Sequence, residues 1–114
     1  MKTVIPLKKY FPEEFLYKDI GTRAMVMHIL NSHLSAMTEK PDEVEVDFEE
    51  INFISHSAAH EFVKQKQQMA DEGISLSFVH MNQEVSFMID LINRKDLKKP
   101  LIHIHRAASS ESFE

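Results

Sequence analysis

The spacing of apolar residues switches repeatedly between two periods along this chain, and that alternation constrains the fold more than any other feature. From Glu43 to Phe48 the period is two. Val44, Val46 and Phe48 fall on one face and Glu43, Glu45 and Asp47 on the other, the pattern of a strand with one buried side. Between Thr22 and Met37 the period is helical. Val26, Leu30, Leu34 and Met37 form a stripe with Met25 and Ile29 beside it, and Pro41-Asp42 stop it. Ile51, Phe53 and Ile54 lead to the polar break Ser55-His56-Ser57. A helix then runs to about Asp71, with Ala59, Phe62, Val63, the stem of Lys66 and Met69 inward. Gly73 stands where a helix end tolerates positive φ. Ile74 to Met81 reads as a strand with Ile74, Leu76, Phe78 and His80 on one side. Asn82 is positioned to cap a third helix striped by Val85, Met88, Ile89 and Ile92. Thr3 to Leu7 predicts a first strand, confined to an edge or bulge by Pro6, and Phe11 to Tyr17 a short helical turn opened by Pro12. Leu101 to Arg106 predicts a last strand after Pro100, and residues 107–114 a flexible tail. The order is β–α–β–α–β–α–β. It implies one small α/β domain over residues 1–106, with about four strands in a mixed, at least partly parallel sheet and three helices.

Composition narrows the function classes. At 114 residues, 43% apolar and 27% charged, the chain suits one core. A net charge of −5 argues against a nucleic-acid partner, since phosphate neutralisation needs a basic face, and Lys8-Lys9 and Lys98-Lys99 read as solvated flanks. The absence of cysteine removes disulfides, thiolate metal sites and cysteine nucleophiles. No run approaches a membrane span and MKTVIPLKKYF has no leader-like apolar core, so a cytoplasmic protein without a membrane partner is expected.

The stretch Val46-Asp-Phe-Glu-Glu-Ile-Asn-Phe-Ile-Ser-His-Ser-Ala-Ala-His-Glu-Phe62 resembles the signature of STAS domains, the fold of bacterial anti-sigma-factor antagonists. In that family a strand ends in aspartate, an apolar piece follows, and Asp-Ser-Ser-Gly opens the next helix. Here these are EVEVDF, Ile51-Asn52-Phe53-Ile54 and Ser55-His56-Ser57-Ala58. The likeness extends from about Gly21 to Arg94. It is nearest a STAS-like group of unknown function, through Ala59-His60-Glu61-Phe62 and Met81-Asn82-Gln83-Glu84-Val85. What it implies is a non-enzymatic regulatory module that docks onto a signalling protein, such as a histidine-kinase-like ATPase. The implied contact comprises Ser55, His56, Ser57, Ala58, Ala59 and Glu61, with Lys64, Gln65 and Gln68 on the rim. The family's phosphate-acceptor serine aligns with His56, which moves candidate phosphorylation to Ser55 or Ser57. A serine at a helix start is equally explained as an N-cap. On this reading His56→Glu or Ala59→Arg leaves the fold intact and weakens capture of the partner.

Seven histidines raise a second class, a small-ligand or metal sensor. His56 and His60 stand four apart on one helix face, and His103 and His105 share a strand face that His80 could approach; His28 and His33, five apart, point differently. No carboxylate accompanies them in a metal motif, so neither metal nor cofactor is expected. Asp47, Glu49 and Glu50 form an acidic cluster at a strand end, where active sites often lie, but no nucleophile, glycine-rich loop or G-x-S-x-G elbow accompanies it. Asp47 facing solvent beside a solvated Glu pair explains it as well. An edge strand at Leu101–Arg106 would also offer weak pairing between copies.

Overall fold

The computed structural model describes residues 1–105, with side chains through Arg94. The predicted tail at 107–114 lies outside the described residues. The elements are β1 (Lys2–Pro6), a 3-10 turn (Leu7–Tyr10), β2 (Asp19–Ile20), α1 (Arg23–Ser35), β3 (Glu43–Asp47), β4 (Phe53–Ile54), α2 (His56–Asp71), β5 (Ser75–Val79) and α3 (Gln83–His105). β1, β3 and β5 form a parallel sheet in the order β1-β3-β5, and β2 pairs with β4 in a separate parallel ribbon.

Register explains why the sheet has two different faces. Thr3, Val44 and Leu76 form one cross-strand row and Ile5, Val46 and Phe78 the next on the same side, and these are mostly buried. The intervening rows, Lys2–Glu43–Ser75 and Val4–Glu45–Ser77, are exposed or half-exposed. Parallel sheets are usually covered on both faces. Here strict alternation leaves one face polar, so the helices pack on the other.

α2 lies between α1 and α3 and packs on β5. Its Phe62 meets Phe48 and Phe78, and the three rings form three edge-to-face pairs with centroids 5.2, 5.9 and 5.9 Å apart. Val26, Ile29 and Leu30 of α1 and Val85, Ile89 and Ile92 of α3 complete the core. Asn82 and Gly73 take the helix-end roles that the sequence predicts, and Thr22 adds a cap to α1. Thr22 Oγ1 accepts the Met25 N–H (3.1 Å), Asn82 Oδ1 accepts the Val85 N–H (2.8 Å), and Gly73 adopts φ +82°.

Four expectations are corrected. Leu101–His105 is helical and belongs to α3, so the predicted last strand and its edge for self-pairing are absent among the described residues, and the strands form two parallel sheets of three and two in place of one mixed sheet of about four. A short run with apolar residues at 101, 102 and 104 fits either period, and Pro100, expected to precede a strand, lies inside α3. His80 leaves β5 at φ +58° and is exposed, off the inner face of that strand. In place of a helical turn beyond Phe11, a 3-10 turn forms earlier, and Phe15 N–H closes a single turn on Pro12 O (3.0 Å). No helix among the described residues is long and apolar enough to cross a membrane.

Candidate functional site

The entrance to α2 is held by the β2–β4 ribbon. Asp19 pairs with Phe53 and Ile20 with Ile54, and both isoleucines are fully buried. One residue on, Ser55 N–H donates to Ile20 O (3.0 Å). Its hydroxyl donates to Gly21 O (2.9 Å) and accepts from Ala58 N–H (3.0 Å). Ser55 therefore caps α2 and ties it to the end of β2. Such a cap contributes about 1 kcal/mol, and here it also fixes the direction in which the turn leaves the ribbon.

That geometry divides the predicted contact residues. His56 and Ser57 are exposed and Ser55 is half-buried. Ala58 and Ala59 have no exposed surface and Glu61 only 3%. These three cannot touch a partner directly. Ala58 and Ala59 pack into the core, and Glu61 accepts a hydrogen bond from Gln65 Nε2 (2.7 Å). Consequently Ala59→Arg would overfill the core with a charge and lose the fold, so it cannot report on docking. Of the rim residues, Lys64 and Gln68 are exposed and Gln65 is half-buried. Ser57 is the candidate hydroxyl for modification, since that of Ser55 is already engaged as donor and acceptor. Phe53, two residues before Ser55, adds an apolar side chain that is 39% exposed.

A second constellation lies at the carboxyl ends of β1, β3 and β5, where the sequence suggested only an acidic cluster. Asp47 Oδ1 accepts the Glu49 N–H (2.9 Å) and pairs with His80 Nδ1 (2.9 Å). Burial pushes the Asp47 carboxyl up, but the Glu49 N–H and His80 outweigh it and the net shift is downward. His80 is raised by its hydrogen bond to Asp47 and by that carboxylate's charge. Lys8 Nζ donates to Glu49 (2.8 Å) and Glu50 (3.4 Å), while Lys18 Nζ donates to Glu50 (3.2 Å) and to Phe15 O (2.8 Å). The Glu50 carboxyl is lowered by its hydrogen bonds from Lys18 and then Lys8. Glu49 and Glu50 are thus engaged by lysine ammonium groups and Asp47 by the His80 ring. Glu50 (φ +68°) and His80 are the two positive-φ residues besides glycine among the described residues, and both sit at this edge. Lys18, only 7% exposed, has no signature in the sequence, because lysine burial is decided by the loop that closes over it.

Among the described residues no group of three His, Asp, Glu or Cys side chains could hold a metal ion. His56 and His60 do share α2, and His60 Nδ1 is buried without a hydrogen-bond partner. His103 and His105 are helical, so the shared strand face that suggested a site with His80 does not exist. Comparison with family models, curated proteins and solved structures finds no match to this chain.

Proposed function

We propose that this chain is a non-enzymatic regulatory module that docks onto a signalling protein through the entrance of α2. The observation that carries the reading is the Ser55–Ser57 turn. Its backbone is fixed by three hydrogen bonds involving Ser55, while His56 and Ser57 stand exposed beside Phe53. A pre-set turn loses little conformational entropy on binding, and polar groups beside exposed apolar side chains supply both rim and centre of a contact. The contact comprises His56, Ser57, Lys64 and Gln68, with Phe53 as its apolar element. A total buried area of roughly 1,200 Å² suits a transient signalling pair. The STAS resemblance of residues 46–62 points to a partner with a histidine-kinase-like ATPase fold. A phosphate on Ser57, in the first turn of α2, would be stabilised by free N–H groups and would place two negative charges in the contact.

The test is affinity capture from the native cells with wild type, His56→Glu, Ser57→Glu and, as control, Lys40→Ala. Lys40 lies before β3 and pairs with Glu72. A specific partner should be retained by wild type and the control and lost with both acidic variants, while all four proteins keep their fold by circular dichroism. Equal capture by all four, or no specific partner at all, counts against the reading.

A further inference from the structure

The carboxyl edge of the main sheet opens into a cleft of about 550 Å³ lined by Lys8, Lys9, Phe11, Glu13, Lys18 and Glu50. We infer that this cleft binds a small organic oxyanion, a carboxylate or phosphate ester with a flat apolar body. The site is separate from the turn proposed for docking and does not depend on it.

The location comes first. In open parallel α/β sheets ligands bind outside the carboxyl ends of the strands, where the exit loops diverge. Lys8 and Lys9 sit in the turn that leaves β1, and Glu50 in the turn that leaves β3. A volume of this size falls within the range of small-molecule sites.

The charges come next. The protein as a whole is acidic, at −5, yet three of its thirteen basic residues line this one opening. Lys18 is the decisive member. Its side chain is 9% exposed, and an ammonium withdrawn from water needs its three donors satisfied. Two acceptors are present among the described residues, Phe15 O and Glu50 Oε1, and the Glu50 side chain is itself 54% exposed. Lys9 has no carboxylate within ion-pair distance among the described residues; its ammonium lies 5.4 Å from the Tyr10 ring centroid. Glu50 spans Lys8 and Lys18 from a left-handed backbone conformation that glutamate rarely adopts. Strained backbone held by its surroundings is a feature of binding sites. Glu50 thus occupies, from within the chain, the position an external oxyanion would take between two ammonium groups. Phe11 supplies an apolar wall for the rest of the ligand.

The arrangement makes a directional prediction. Glu50→Gln keeps the size of the side chain, removes the competing charge and should tighten anion binding severalfold. Lys8→Ala/Lys9→Ala should weaken it at least about tenfold. Neither variant touches the core. The experiment is amide chemical-shift titration of the full chain at low ionic strength with phenyl phosphate, benzoate and, as the neutral control, benzyl alcohol. Saturable shifts from either anion, clustered at Lys8–Phe11, Lys18 and Glu50 and following both variant predictions, support the site, and the tighter of the two identifies the head group. The inference is overturned by shifts spread over unrelated lysines such as Lys40, by benzyl alcohol matching the anions, or by a Glu50→Gln variant that binds no better. Absence of any saturable shift overturns it too.

Discussion

His80 and Asp47 illustrate how a single pair can set a pH window. The His80 value is raised above its ordinary 6.5, so what it contributes is fully present below that pH and is lost as pH rises through the folded value. The Asp47 value is lowered from 3.8, so its contribution is present above that pH and is lost as pH falls through the folded value. Together they stabilise most between those limits. His33 opposes them. Burial first, and then the charge of Lys9, lowers its value, and it shares a hydrogen bond with Thr3 Oγ1 (2.8 Å), so its contribution fades as pH drops below 6.5. We expect His80→Asn, which tolerates the same backbone conformation, to lower Tm most below pH 6.5 and to approach wild type as pH rises through the folded His80 value. Thermal unfolding across that range checks it, and a difference independent of pH would mean the ion pair does not form. Residue identity announced some of this scale and concealed the rest. Asn82 and Gly73 advertise their roles at helix ends, whereas nothing in Lys18, Ala58 or Glu61 announces burial.

At the scale of elements, α2 organises the layer. Helix α2 buries Ala58, Ala59, Phe62, Val63 and Met69 along one stripe, and Phe62 is the side chain through which it reaches Phe48 and Phe78. Lys66 covers the outer side of that cluster, its ammonium 5.6 Å from the Phe78 ring centroid. Phe62→Ala should therefore destabilise by about 3–5 kcal/mol. Phe87→Ala, on α3 and 63% exposed, should stay within about 0.5 kcal/mol of wild type. Denaturant unfolding of both variants decides this, and similar losses would mean that the aromatic cluster is not the anchor of α2. The period of α2 was legible from Ala59, Phe62, Val63 and Met69 alone. The end of α3 was not, because Leu101, Ile102 and Ile104 satisfy a strand and a helix alike.

For the whole molecule, the consequence of the alternating strands is a parallel sheet with helices on one side and a polar surface on the other. Lys2 and Glu45 pair on that surface at 3.0 Å, and the row Val4–Glu45–Ser77 runs across all three strands. A polar face of this kind disfavours burial against another copy. The double variant Glu45→Val/Ser77→Val should convert the row into an apolar band. Concentration-dependent association by sedimentation is expected, with little change in the fold by circular dichroism. A variant that sediments like wild type at every concentration would show that this face does not depend on its charges to stay open.

Local pattern alone determined the three helices and the strands β3 and β5 between Thr22 and Ile92, the roles of Asn82 and Gly73 at helix ends, and that one side of the sheet stays polar, since each follows from periodicity or residue type within a few residues. Only the tertiary structure decided that β2 pairs with β4, that Ala58, Ala59 and Glu61 are inside, and that Lys8 and Lys18 converge on Glu50. Those outcomes depend on contacts between segments distant in sequence, and no local period encodes which distant segment will cover a side chain.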